Sequence, residues 1–431
     1  MPNENSTPQS DSRRDFIKKS AAISSAAAVG GLSMACNVHA AGSDMLKVAL
    51  IGCGGRGSGA AKNATMGDDN LKVTALCDIF PDVLAQARKR LGRALGDRLE
   101  VTDETCFSGF DGYKQVMETD VDVVLLATPP HFRPAHLRAA IEAGKHVFCE
   151  KPVAVDAPGC RHVFETVEMA KEKNLSIVSG LCWRYDPKVK ATVEKIKDGS
   201  IGDIVAVHET YLTGTLWYRQ PQPDWTEMEH QVRNWLYYTW LSGDHTAEQH
   251  IHSLDKALWI NDDAAPLSCE AVGGRLVRTD AKWGNVYDHF GMTFEFPNDV
   301  KTFAFCRQMA GCYNDVNDYI LGSNGTASIL GGTVTPKKGD AWKYDGPNAN
   351  MYDEEHKALY AGIRSGNVIN NGIYMTRSTM MAIMGRMAAY TGKKITWDMA
   401  INSQEDMTPK TYEWGDVEIP TVAMPGKTKF V

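Results

Sequence analysis

Positive charge is not in surplus in this sequence: 46 Lys and Arg stand against 53 Asp and Glu, a formal net charge of −7. Nucleic acids and acidic membrane surfaces are bound through clustered cations, so this composition argues against both partners. The ten cysteines are scattered, with no C-x-x-C pair and no zinc-type spacing. No metal site is therefore expected, and free thiols in apolar runs, as at Cys77 and Cys149, are expected in place of a disulfide framework. Internal repeats, low-complexity tracts and a membrane-spanning apolar run are also missing beyond the leader described next. What is left is an ordinary globular composition over 431 residues, enough for two domains with sizeable cores.

The amino-terminal segment differs. Ser12-Arg13-Arg14-Asp15-Phe16-Ile17-Lys18-Lys19 precedes a small-residue apolar stretch over 21–35, and Val38-His39-Ala40-Ala41 resembles an A-x-A cleavage site. The paired arginines resemble a twin-arginine export signal, a route that carries folded proteins. Residues 1–41 are thus expected to be a leader, and the protein to be periplasmic or otherwise exported. Folding before export also accommodates unpaired cysteines. Ser33-Met34-Ala35-Cys36 makes a poor lipoprotein box, because Ser33 stands where a branched apolar residue is usual.

The rest of the chain is organised around Leu46–Gly57, L-K-V-A-L-I-G-C-G-G-R-G. A short apolar strand ends abruptly in Gly52-x-Gly54-x-x-Gly57. Gly52 permits a tight turn, Gly54 lets backbone approach a pyrophosphate, and Gly57 lets the next helix pack close to the strand. Gly55 and Arg56 complete the turn, whose helix N-terminus favours anions. A second strand, L-K-V-T-A-L-C over 71–77, ends at Asp78. A carboxylate here accepts from both ribose hydroxyls and repels a 2′-phosphate, so NAD is expected over NADP; Asp78 also suits a helix N-cap before Pro81. Further strands, V-D-V-V-L-L-A at 121–127 and His146–Cys149, alternate with helices, which predicts a doubly wound parallel sheet over residues 42–175. Ligands of such sheets lie beyond the strands' carboxyl ends. Gly52, Asp78, Thr128, Pro129, His131, Glu150 and Lys151 all fall there.

Lys151, fixed in direction by Pro152, suits a hydrogen bond to a substrate hydroxyl; a surface pair with Glu150 is the competing reading. Strand candidates Ile204–Tyr211, Cys269–Leu276, Met292–Glu295, Thr302–Cys306 and Ala327–Leu330 follow, and predict a separate α+β domain over 176–402. The aromatic stretch 217–259 includes Trp235 and suits either a sugar face or a core. On an ideal helix Glu248, His252 and Asp255 share one face, so that Glu248 could orient His252 as a general base. His250 points away from that face, which disfavours a metal. Asp288-His289 and Asn314-Asp315 are weaker substrate candidates. A proline-bearing extended arm is expected over 403–431, on this subunit or another.

The combination of A-T-P-P-H at 127–131, A-G-K-H-V-F-C-E-K-P at 143–152 and the glycine turn resembles the Gfo/Idh/MocA oxidoreductases. The resemblance implies a Rossmann domain followed by an α+β domain with a large mixed, mainly antiparallel sheet. It implies that Lys151 lies beside the nicotinamide, that Arg184 and Tyr185 open the substrate domain, and that Glu248, His252 and Asp255 match the family's acid–histidine–acid pattern. Glutamate here replaces the usual aspartate, and His250 stands where glycine is common. The implied activity is hydride transfer between NAD and a secondary alcohol of a sugar, glycoside or cyclitol, in a homo-oligomer (dimer or tetramer). An NAD-dependent glycoside hydrolase, working by transient oxidation and elimination, is the alternative.

Overall fold

The computed structural model describes residues 45–431; the arginine pair and the cleavage candidate lie outside the described residues. The first sheet has six parallel strands: β1 (Leu46–Ile51), β2 (Leu71–Asp78), β3 (Cys106–Ser108), β4 (Val123–Leu126), β5 (His146–Cys149) and β6 (Ile177–Ser179). Their order is β3-β2-β1-β4-β5-β6. Every residue of β4 is buried, as a central parallel strand covered on both faces requires. The order reverses between β1 and β4, which places Gly52 against Ala127 and Thr128 at the edge where such sheets bind ligands.

The second sheet has nine strands: β7 (Ile204–Thr213), β8 (Ser268–Gly274), β9 (His289–Glu295), β10 (Lys301–Gln308), β11 (Asp315–Gly322), β12 (Gly325–Ser328), β13 (Thr333–Pro336), β14 (Trp342–Lys343) and β15 (Ile395–Thr396). The order is β14-β13-β12-β11-β7-β10-β9-β8-β15. β7 and β10 pair in parallel and the other neighbours antiparallel. Along β10, Thr302, Ala304, Cys306 and Gln308 face the core, whereas Lys301, Phe303 and Phe305 are exposed, the alternation of a sheet with one buried face. The two sheets are joined by the helix Gly372–Thr391, which is buried from Ser378 onward. Its Met and Ala content serves packing, and Gly385 lies against Met292 and Phe294 of β9. The nine described cysteines are free. Among the described residues no helix is long and apolar enough to cross a membrane.

After the second sheet the chain returns to the nucleotide half. The helix Met351–Ser365 packs on the helix Gly55–Gly67 through Arg364–Asp68 at 2.5 Å and Asn63–Asp353 at 2.7 Å. His356 of the returning helix is fully buried against Phe148, and burial pushes its pKa down to about 3. His136 is likewise buried and held at about 3. Both imidazoles are neutral when folded, whereas an unfolded chain protonates them near pH 6.5. Their stability contribution is complete above pH 6.5 and is lost as pH falls towards 3, each by about 1.4 kcal/mol per pH unit inside that window. Urea denaturation should therefore show a lower midpoint at pH 5 than at pH 7, and coincident midpoints would contradict the assignment.

Candidate active site

The glycine turn is built by close approach. Gly52 has φ +96°, and a Cβ there would lie 2.6 Å from the backbone of Ala127 and Thr128. A Cβ on Gly57 would lie 1.8 Å from the Gly52 carbonyl oxygen. Gly54 and Gly55 are exposed, and a Cβ on either would meet nothing within 4 Å. The turn is thus crowded on the protein side and open on the ligand side. No side chain caps the helix Gly55–Gly67, so its first N–H groups are offered to an anion. Asp78 accepts from Cys53 N at 2.7 Å and Phe80 N at 3.0 Å. Burial raises its pKa, against the pull of those two backbone donors. It closes the turn and still faces a cavity whose lining includes Gly52, Gly54, Thr128 and Pro129. This combination fits a dinucleotide: a backbone cradle for the pyrophosphate, and a carboxylate for ribose.

Glu150 is buried and pairs with Arg56 at 2.9 Å, and the Arg56 guanidinium lies 4.6 Å from the Tyr352 ring centroid. Lys151 does not pair with Glu150. Its ammonium donates to the Glu248 main-chain oxygen and to Glu248 Oε1, the latter at 3.3 Å. The Lys151–Pro152 bond is cis. An ammonium has three donors, so one remains for a substrate oxygen.

Here the structure corrects the sequence reading of Glu248. Its carboxylate serves Lys151, and His252 Nδ1 has no hydrogen-bond partner. The reason is local winding: Thr246–His250 is a π-helical turn, and the α-helix begins only at Ile251. A π turn takes more residues per revolution, so the i, i+4 alignment of an ideal helix does not hold across it. His252 is instead steadied from behind. Its main-chain oxygen accepts from Lys256 at 2.7 Å, and its ring lies 5.2 Å from Trp183, whose ring centre is 3.6 Å from the Lys256 ammonium. Burial, then the charges of Lys151 and Lys256, push the His252 pKa well below the ordinary 6.5. A neutral imidazole with a free nitrogen can accept a proton.

Several other candidates are occupied elsewhere. Arg184 is bidentate to Asp255 at 2.9 Å, pairs with Asp263 at 2.6 Å, and lies over the rings of Trp259 and Tyr374. Asp255 also accepts from Ser378 at 2.8 Å, and the Tyr185 hydroxyl donates to Asn371 at 2.7 Å. These three residues hold elements together. His250 is fully buried, with neither ring nitrogen hydrogen-bonded, so it packs as a neutral ring. Asp288 accepts from the backbone N–H groups of Leu276, Val277 and Arg278. Trp235 lines the nucleotide cavity, together with Trp217 and Arg219. His131 Nε2 meets the Tyr412 hydroxyl at 2.7 Å, and Thr128 Oγ1 lies 3.4 Å from His136 Nδ1. The arm 403–431 packs against this chain. Tyr352, Trp183 and Lys256 carried no motif; they enter the site through tertiary contact.

A glycine turn at the switch point of a doubly wound parallel sheet defines the class of dinucleotide-binding proteins. Two family models match, one described as an oxidoreductase family with an NAD-binding Rossmann fold over residues 46–180, the other as the GFO/IDH/MocA C-terminal domain over 189–328. Together they take in more than half of the chain, and it belongs to the Gfo/Idh/MocA oxidoreductase family. It is 27% identical over 288 residues to inositol 2-dehydrogenase 3 of Saccharopolyspora erythraea, spanning 66% of this chain and 73% of that one. It is 25% identical to a glycosyl hydrolase family 109 protein of Shewanella amazonensis, over 54% of this chain and 52% of that one. The fold is shared with the crystal structure of an aldose-aldose oxidoreductase from Caulobacter crescentus, with a TM-score of 0.65, 18% identity, and coverage of 82% of this chain and 100% of that one.

Proposed function

We propose that this chain is an exported, NAD-dependent oxidoreductase that acts on a secondary alcohol of a sugar, glycoside or cyclitol and keeps its dinucleotide through the catalytic cycle. The observation that carries the chemistry is Lys151: its ammonium sits at the carboxyl end of β5, is held by Glu248, and is close enough to help depress the pKa of His252. Bound nicotinamide supplies the hydride acceptor. Lys151 donates its remaining N–H to the substrate oxygen and steadies the charge that develops there. The His252 imidazole takes the hydroxyl proton. Glu248 holds the ammonium in place, and Trp183 with Lys256 holds the imidazole. In the reverse direction the same groups return the proton to a carbonyl.

The Asp78 carboxylate supports NAD over NADP. The twin-arginine segment supports export, and free NAD is scarce outside the cytoplasm, which supports a retained cofactor. The inositol dehydrogenase relative supports a polyol substrate. The glycosyl hydrolase relative favours a second reading, in which transient oxidation acidifies the neighbouring C–H, the aglycone is eliminated, and water addition and re-reduction give net hydrolysis. Denaturing the purified protein should release one NAD per chain, and an empty, freely exchanging site would overturn the retained cofactor. With chromogenic glycosides, aglycone release without added NAD selects hydrolysis, whereas stoichiometric reduction of the bound dinucleotide by free sugars or cyclitols, with no aglycone released, selects dehydrogenation.

A further inference from the structure

Residues 403–431 form neither helix nor strand, yet they are tied down along their length. Glu405 pairs with Arg386 at 2.7 Å, and Met407 N donates to Asp156 at 3.0 Å. Met228 N donates to Gly415 O at 3.0 Å, and the Tyr287 hydroxyl to Ala423 O at 2.9 Å. Between the ties at Met407 and Gly415 the arm carries two aromatic residues to the nucleotide edge of the first sheet. The Trp414 ring stacks on Phe80 at 5.4 Å and lies 4.8 Å from Phe110. The Tyr412 ring lies 5.7 Å from Phe110, and its hydroxyl bonds His131.

Phe80 and Phe110 line the cavity that also contains Gly54 and Asp78. Phe80 follows two residues after Asp78, and Phe110 directly follows Gly109, which also lines the cavity. The arm thus backs the cavity wall on the side marked by the ribose carboxylate. An extended segment without its own hydrogen-bond ladder keeps its place only through such contacts.

We propose that Tyr412 and Trp414 are positioning residues that retain the dinucleotide. They hold Phe80 and Phe110 against its adenosine end, with Tyr412 anchored through His131, so that release requires the arm to lift. This rests on the reading above that the cavity holds a dinucleotide. It adds a residue pair beyond the matched family segments, which end at 328.

The test uses the full chain loaded with radiolabelled NAD and diluted into excess unlabelled NAD. Trp414→Ala should release label about tenfold faster than the natural chain, the worth of a well-placed aromatic pair, and Trp414→Phe should restore most of the retention. Tyr412→Phe, which removes only the hydroxyl on His131, should give a smaller acceleration. Binding is reciprocal, so bound NAD should in turn slow tryptic cleavage after the exposed Lys410 in the natural chain, a measurement that needs no variant. Equal release rates for the natural chain and Trp414→Ala, or cleavage at Lys410 indifferent to NAD, would overturn the arm's role while leaving the cofactor assignment intact. A natural chain that binds no dinucleotide at all would instead overturn the functional reading itself.

Discussion

Lys151→Met is expected to lower kcat by about 10²- to 10⁴-fold while the chain still holds its nucleotide. Methionine keeps much of the lysine's length and apolar stem but removes every donor. The substrate oxygen then loses its hydrogen bond, and the charge developing on it loses its neighbour. The glycine turn and Asp78 are untouched, so nucleotide stoichiometry after denaturation should match the natural chain. Lys151→Arg should not rescue, because a planar guanidinium cannot reproduce the geometry of an ammonium held between the main-chain oxygen and the carboxylate of Glu248. Glu248→Gln should be milder, since the main-chain acceptor survives. Single-turnover hydride transfer measures all three. A loss in Lys151→Met below about fivefold would remove Lys151 from the chemistry.

The second large effect separates two glycines only three residues apart. Gly57→Ala puts a methyl carbon where the Gly52 carbonyl oxygen would be 1.8 Å away, backbone against backbone. Neither atom can rotate aside. The helix Gly55–Gly67 must move off β1, and the expected cost is about 1–3 kcal/mol or more of stability together with loss of nucleotide binding. Gly54→Ala meets nothing within 4 Å. Its melting temperature should stay at or slightly above the natural value, yet NAD affinity should fall by at least about tenfold, because the methyl group occupies the pyrophosphate's approach. Thermal melts paired with NAD titrations read both. If Gly54→Ala bound NAD like the natural chain, the open space at residue 54 would not be the cradle.

Other features show how far local pattern reaches. The alternation of strands and helices, and the polar residues at their ends, marked the parallel sheet and its binding edge, because a parallel strand buried on both faces must be an uninterrupted apolar run. The helix Gly55–Gly67 begins inside the glycine motif itself, where glycines give no periodic signal to mark its start. The face shared by Glu248 and His252 assumed α-helical winding, and the π turn at Thr246–His250 broke that assumption. Arg184 stood out through the family resemblance, and Asp255 through the helix face it shares with His252. Their partner is each other, across 71 residues of sequence, a pairing that no local spacing encodes.

By itself the sequence determined the first sheet, the glycine turn, Asp78 and the placement of Lys151 at a strand end, because each depends on residues within one turn or one strand of itself. Tertiary structure alone decided which groups Lys151 and His252 meet, that Tyr352 closes on Arg56, and that Trp414 backs the nucleotide wall. Those contacts join segments tens to hundreds of residues apart. They depend on how the second sheet and the returning helix close over the first sheet, which is set by packing and not by any short run of residues.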